Sequence, residues 1–298
     1  MCRVLIIGGD SKIGAAVAAQ LSHNGCEVFT TTRNPAQVTA RTSFLDLSKP
    51  LDSWQPPAVD ACLLAGAITS LKDCQENPHV CEQVNVTATL QIAEKMRAQG
   101  TYVLFLSSNQ VFDGSAPRVP AHMPVKPLTW YGVHKAKVET VLSGWNQSAG
   151  IVRITKVLDE RNLLLQSWKS SLEKGECIQA FDDYFMAPVA MGYVAIIIAG
   201  LLHNPVAGIV QLSGDNDLSY FHTARLLAEA LGNTDGVHAV SAVKNNAIAH
   251  IPAYTSLDCS RIESLTAQRG PSSVETVKQI VASMLHEKNT RSRLNTCA

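Results

Sequence analysis

The sequence predicts an α/β fold, a doubly wound parallel sheet with a smaller, mainly helical C-terminal lobe. Three observations point to it. The first half of the 298 residues alternates short apolar runs with amphipathic stretches, the pattern of strands crossed over by helices. A glycine-rich turn follows the first apolar run directly, at residues 8–14. After about Thr155 the alternation fades and helical periodicity dominates.

Taken in order, the strands are expected at Arg3 to Ile7, Glu27 to Thr32, Ser43 to Leu45, Ala61 to Leu64, Thr101 to Ser107 and Ile151 to Ile154. Between them lie helices at Ile13 to His23, stopped by Asn24-Gly25, at His79 to Ala98, stopped by Gln99-Gly100, and at Trp130 to Trp145. Each unit is long enough for a right-handed crossover. Four prolines (117, 120, 124 and 127) make Asp113 to Thr129 an extended loop. Beyond Thr155 come a helix at Asn162 to Leu172, a loop at Phe181 to Pro188, the apolar helix Met191 to Leu202 and a strand at Gly208 to Leu212. Helices follow at Tyr220 to Leu231 and Val274 to His286, the latter opened by the capping box Ser272-Ser273-Val274-Glu275. The run Ile196-Ile197-Ile198 predicts a buried face against the sheet. The expected division is a nucleotide domain over 1–155 with a return segment near 188–212, a substrate lobe over 156–187 and 213–288, and a flexible tail over 289–298.

Composition narrows the function classes. Twenty-five basic residues balance 25 acidic ones, so no broad positive field draws nucleic acid or an anionic membrane. The longest apolar run, Val194 to Leu202, is about half of the roughly 20 residues that span a bilayer. A strand pattern begins at Arg3, which argues against a secretory leader. The eight cysteines (2, 26, 62, 74, 81, 177, 259 and 297) have no Cys-x-x-Cys spacing, and the nine histidines form no zinc-type grouping with them. Reduced thiols, a cytoplasmic location and no catalytic metal are therefore expected. The adjacent carboxylates Asp182 and Asp183 would point apart in an extended loop, which disfavours a paired acid/base role.

Gly8-Gly9-Asp10-Ser11-Lys12-Ile13-Gly14 lies between a strand and a helix, the context in which backbone N–H groups and a helix N-terminus meet a pyrophosphate. An ordinary strand–helix turn is the plain alternative, and Ser11 stands where a middle glycine is expected. The second strand ends Thr31-Thr32-Arg33-Asn34 with no acid, and Arg33 and Lys12 would attract a 2′-phosphate. This favours NADP(H), with NAD(H) the alternative and a merely solvated Arg33 the plain reading.

Tyr131 and Lys135 stand four apart at the start of a helix and share a face. A phenol with a pKa near 10 needs a neighbouring cation to exchange protons at neutral pH. The fifth strand delivers Ser107-Ser108-Asn109-Gln110 at its carboxyl end, where open α/β sheets bind ligands. There the Ser108 hydroxyl can donate to a carbonyl oxygen as charge develops on it; alone, it reads as a strand-terminal hydrogen bonder.

These residues together resemble the extended short-chain dehydrogenase/reductases, which carry a Rossmann domain, and among them the dTDP-4-dehydrorhamnose reductase group. The resemblance includes the glycine turn, Asp46-Leu47, Leu64-Ala65-Gly66-Ala67, Asn85-Val86, Ser107 to Gly114 and Tyr131-x-x-x-Lys135. It extends to Asp183-Tyr184-Phe185-Met186-Ala187-Pro188 and to Ser256-Leu257-Asp258-Cys259-Ser260-Arg261-Ile262. It implies that Tyr131 is the general acid, that Lys135 tunes it and holds the nicotinamide ribose, and that Ser108 polarises a ketone. It further implies cofactor contacts from Gly8, Ser11, Lys12, Ile13, Gly14, Arg33, Asp46 (near adenine), Leu47, Ala65, Gly66, Ala67, Asn85, Tyr131 and Lys135. Asn85 would support a water-mediated proton path; a helix-interior asparagine bonded to backbone is its plain reading. Met186 for a glycine, Lys156 for a tryptophan and Ser11 depart from the group's pattern. The implied activity is NADPH-dependent reduction of a 4-keto nucleotide sugar, with a nucleotide-sugar epimerase/dehydratase or a non-catalytic NADP-binding regulatory subunit as alternatives. A nucleotide sugar is the implied ligand; the oligomeric state is left open, a homodimer being one option, and the charge balance argues against nucleic acid or membrane as partner.

Overall fold

A computed structural model describes residues 2–244 and 250–295, with side chains through His286 in the last segment. In chain order the elements are β1 (Arg3–Ile7), α1 (Lys12–His23), β2 (Glu27–Thr32), β3 (Thr42–Phe44), β4 (Ala61–Leu64), α2 (Leu71–Glu76), α3 (Pro78–Glu82), α4 (Thr89–Ala98), β5 (Tyr102–Ser108), α5 (Trp130–Ser143) and β6 (Ala149–Ile154). They continue with β7 (Val157–Leu158), α6 (Leu163–Glu173), β8 (Ile178–Phe181), β9 (Phe185–Met186), β10 (Val189–Ala190), α7 (Met191–His203), β11 (Gly208–Leu212), β12 (Leu218–Ser219), α8 (Tyr220–Leu231), β13 (Val237–Val240), α9 (Ser260–Thr266) and α10 (Ser273–Asn295).

The chain divides into two compact units, the first comprising Met1–Asp113, Ala121–Ile154 and Met191–Gln211. Its core is a sheet in the order β11-β6-β5-β4-β1-β2-β3, in which the pairs from β6 to β3 are parallel. Strands buried on both faces lack polar alternation, and β4 (Ala61, Cys62, Leu63, Leu64) is buried throughout. The order reverses direction beside β1, which places the topological switch point at the carboxyl ends of β1 and β4. α1 starts where the Ser11 hydroxyl accepts from Gly14 N–H at 3.0 Å. On α7 the helical period buries Ile197 and Ile198 but leaves Ile196 51% exposed, so the isoleucine run is only partly a packing face.

The helix expected over 79–98 is continuous but not α-helical throughout. After α3 the chain makes a π-helical turn over Gln83–Ala88 before α4 resumes. A preceding helix, α2, was not anticipated; it starts with Ser70 accepting from Asp73 N–H at 3.1 Å and buries only Cys74. Six residues with one buried position show no periodicity to read.

The second unit comprises Gly114–Pro120, Thr155–Ala190 and Leu212–Ala298. It is mainly helical, with α6, α8 and α10 packing Leu165, Trp168, Leu227, Val277 and Val281 into one core. Three two-stranded ribbons (β10-β7, β12-β9 and β13-β8) complete it. Most of their strands are two residues long, below what alternation can reveal. At α10, Glu275 N–H donates to Ser272 Oγ at 3.4 Å, while the Glu275 carboxylate pairs with Lys278 at 3.3 Å rather than closing the capping box. α10 runs on to Asn295, into the segment expected to be a flexible tail, because residues 287–295 contain neither proline nor glycine to stop it. Residues 296–298, including Cys297, lie outside the described residues. Among the described residues no helix is long and apolar enough to cross a membrane.

Candidate active site

The carboxyl ends of β1, β2 and β4 frame a cleft of about 820 Å³, within the usual range of cofactor sites, roughly 300–1,000 Å³. Its floor is backbone. Gly8 has φ +87, and a Cβ there would lie 2.6 Å from Gly66 N. A Cβ on Gly14 would lie 2.3 Å from the Gly8 carbonyl oxygen. Glycine at these positions lets the turn, α1 and the segment after β4 close on one another, leaving the N-terminus of α1 open to an anion. Ser11 does not obstruct this, because its hydroxyl is turned onto Gly14 N–H as the helix cap.

Of the residues expected to hold a dinucleotide, Gly8, Ser11, Arg33, Asp46, Leu47, Gly66 and Ala67 line the cleft; Lys12, Ile13, Gly14, Ala65 and Asn85 are not in its lining. Asp46 accepts from Ser48 N–H at 3.0 Å and Ser48 Oγ–H at 2.8 Å, bonds that hold its carboxyl below the usual range. Asn85 is buried in the π-helical turn, a form enriched at functional sites. Its Oδ1 accepts from Ile68 N–H at 2.8 Å and its Nδ2 donates to Ile68 O at 2.9 Å, so its amide clamps the chain leaving β4.

The end of β2 does face an acid: Asp10, from the glycine turn, accepts from Thr32 Oγ1 at 2.8 Å and from Arg33 N–H at 3.0 Å, and it lines the cleft beside Arg33. The turn folds a carboxylate from residue 10 onto residues 32 and 33, a contact that inspection of the β2 terminus alone cannot reveal.

Ser108, Tyr131 and Lys135 are not in the lining of this cleft; they gather where β5 meets α5. The hydroxyl of Ser108 caps the next turn, accepting from Gln110 N–H at 3.2 Å and donating to Asn109 Oδ1 at 3.3 Å. Thr129 caps α5 by accepting from Gly132 N–H at 3.1 Å. A Cβ on Gly132 would lie 2.0 Å from Gln110 O, so the first turn of α5 presses on the chain just after Ser108. Lys135 Nζ donates to Leu106 O at 2.7 Å and sits 4.6 Å from the Phe105 ring centroid and 5.5 Å from that of Tyr131. Burial lowers its pKa to about 8 against the opposing pull of Glu139.

The Tyr131 phenol is pushed well above its ordinary value, first by burial and then by the Cys74 sulfur. At this site desolvation of the phenolate is the larger influence. Cys74 belongs to the unanticipated α2; its thiol, raised to about 12 mainly by burial, donates to Ile68 O at 3.6 Å and receives Asn85 Nδ2 at 3.9 Å.

Beneath this group lies a buried ion pair absent from the sequence reading. Glu139, one turn beyond Lys135, accepts from Ser107 Oγ at 2.5 Å and from Arg153 Nη2 at 2.7 Å and Nε at 3.0 Å. Arg153 also donates to Ala121 O at 3.0 Å and lies 4.8 Å from the Phe112 ring centroid. The available signal was a lone arginine in the apolar strand Ile151-Val152-Arg153-Ile154.

In the second unit, Asp183 accepts from Ser241 Oγ at 2.5 Å and Ala242 N–H at 2.6 Å, which holds its carboxyl low, the Ser241 bond first. Met186 is buried in the β9-β12 ribbon, and Lys156 is exposed.

The sequence profile of the RmlD substrate-binding domain matches residues 2–286. The chain belongs to the RmlD substrate-binding domain family. Among its relatives is the dTDP-4-dehydrorhamnose reductase of Sinorhizobium fredii, 23% identical over 300 residues and covering 96% of this chain and 98% of that protein. The bovine methionine adenosyltransferase 2 subunit beta is 26% identical over 292 residues, covering 90% of this chain and 84% of its own. The fold is that of the dTDP-4-dehydrorhamnose reductase of Bacillus anthracis solved in complex with NADP, with TM-score 0.81, 16% identity and coverage of 95% and 99% of the two chains.

Proposed function

We propose that this chain is an NADPH-dependent reductase of a 4-keto sugar carried on a nucleotide. The observation that carries the reading is the coexistence of a glycine cradle at the N-terminus of α1 with Ser108, Tyr131 and Lys135 gathered where β5 meets α5. The RmlD relatives named dTDP-4-dehydrorhamnose reductase support it. The N-terminal amides of α1 would take the pyrophosphate, Asp46 and Leu47 the adenosine end, and Arg33 a 2′-phosphate. A dinucleotide held there would supply the hydride that reduces the carbonyl carbon. Ser108 turns its hydroxyl from Asn109 to the carbonyl oxygen, and Tyr131 delivers the proton that converts that oxygen to a hydroxyl. Its raised pKa keeps the phenol protonated at neutral pH, and the Lys135 ammonium favours release of the proton once charge builds on the oxygen. The second unit would supply the binding of the nucleotide sugar.

The direct test follows NADPH absorbance with dTDP-, GDP- and UDP-linked 4-keto sugars. Turnover with at least one is expected, and none with any of them overturns the reading. The pH profile adds a prediction. Lys135 has a folded pKa of about 8 against an unfolded value near 10.4. Between these values the unfolded chain binds a proton that the folded chain does not, so the contribution of this residue to stability rises with pH. Activity should fall over the same range as the ammonium is lost. Opposite trends of melting temperature and kcat/KM above pH 8, with the stability slope reduced in Lys135→Met, are the expected result.

Arg33→Ala is expected to weaken NADPH binding about tenfold, the worth of one charge-assisted hydrogen bond, and to leave NADH binding unchanged. Equal loss for both cofactors would remove Arg33 from 2′-phosphate recognition and leave Asp10 as the dominant charge at that end of the cleft.

A second reading rests on the similarity to methionine adenosyltransferase 2 subunit beta. In it the cleft binds NADPH without turnover and the chain acts as a subunit of another enzyme. A stable complex with a methionine adenosyltransferase catalytic subunit, with no reductase activity, is the result that favours it.

A further inference from the structure

We propose that Cys2, Cys26 and His203 form a binding site for a zinc-type divalent cation. The two thiol sulfurs and an imidazole nitrogen all lie within 4.8 Å of one another. A tetrahedral zinc ion with Zn–S near 2.3 Å and Zn–N near 2.1 Å requires separations of about 3.6–3.8 Å among these three ligand atoms, so closure takes shifts of at most about 1 Å. Positions 2, 26 and 203 have no zinc spacing in the sequence; the parallel sheet and one helix end bring them together.

Each ligand is placed by regular structure. Arg3 pairs with Glu27 in the parallel β1-β2 ladder, and Glu27 N–H donates to Cys2 O at 2.8 Å, which sets Cys2 beside Cys26. Cys26 N–H donates to Leu21 O at 3.0 Å, anchoring it to the end of α1. His203 is the last residue of α7, which packs along α1. The carbonyl end of α7 favours a cation there. The nearby Arg3 guanidinium is engaged by Glu27 at 3.2 Å. The thiols are partly buried and His203 is exposed, which leaves the fourth coordination position to water. On binding, each thiol gives its proton to solvent, so two thiolates balance the dication. The site lies at the amino ends of β1 and β2, and none of its residues lines the nucleotide cleft at their carboxyl ends, so it stands independently of the proposed reductase activity.

The competing use of the same atoms is a Cys2–Cys26 disulfide. The full chain, reduced with a phosphine, freed of metal and with its thiols counted, is titrated with Co²⁺ and then Zn²⁺. One Co²⁺ per chain is expected, with thiolate-to-metal charge-transfer absorption that Zn²⁺ abolishes, and with affinity at least tenfold weaker in Cys2→Ser, Cys26→Ser and His203→Asn. In the unmodified chain, Zn²⁺ should raise the melting temperature and protect Cys2 and Cys26 from alkylation, a readout that needs no variant to fold. Co²⁺ binding no tighter than in the Cys2→Ser/Cys26→Ser double variant, or alkylation unaffected by Zn²⁺, overturns the site, as does a disulfide that forms while no metal is bound.

Discussion

Tyr131→Phe is expected to lower NADPH-dependent turnover by about 10²–10⁴-fold, the usual worth of a positioned general acid, while changing the Kd for NADPH little. The expectation follows from where the residue sits. Its hydroxyl belongs to a ring held at the first turn of α5, which presses on the chain just after Ser108, with the ring centroid 5.5 Å from the Nζ of a lysine that is itself fixed by the Leu106 carbonyl. Phenylalanine retains the ring and its packing and deletes only the hydroxyl that carries the exchangeable proton. Because Tyr131 does not line the nucleotide cleft, cofactor affinity should respond little. Single-turnover reduction and fluorescence titration of NADPH separate the two effects. Turnover within a few-fold of the unmodified chain would exclude the phenol as the proton source.

The largest stability effect is expected at Arg153. Arg153→Met removes the guanidinium that faces Glu139 at 2.7 and 3.0 Å and leaves a carboxylate that is 4% exposed, with Ser107 as a remaining partner. Breaking a buried pair from one side costs about 3–5 kcal/mol, because the remaining charge has lost its solvation and its counterion. Replacing both members, as in Arg153→Met/Glu139→Leu, should recover most of that loss. Urea unfolding of the two variants measures it, and a single variant within about 1 kcal/mol of the parent would show that the pair is readily hydrated. Turnover should fall in the single variant as well, since Ser107 adjoins Ser108 and Glu139 follows Lys135 by one helical turn.

The legible parts of this fold share a physical cause. β1, β4 and β5 are apolar runs buried on both faces, and α1 and α8 carry a serine cap at one end and a turn residue at the other, so each left a mark in the residue order. The glycine turn was equally visible, because closure against Gly66 excludes any Cβ at Gly8. What stayed hidden depends on contacts distant in sequence. Asp10 reaches residues 32 and 33, Arg153 pairs with Glu139, and Cys74 meets Asn85; no local spacing encodes such pairs. The ribbons of the second unit fall below the length at which alternation can be recognised. For Asn85 and Ser108 the backbone hydrogen bonds are the plain readings of those residues, and a positioning role for each accords with them.

The order in which the chain visits its two units bears on its synthesis. The strand that flanks β6, together with α7, is encoded after the stretch 155–190 that belongs to the other unit. A ribosome that has released only the first 155 or so residues therefore exposes a nascent sheet with β6 as a bare margin, competent to recruit a neighbouring nascent chain. The first unit cannot close before about residue 212 has left the exit tunnel, so its maturation waits on a segment destined for its companion.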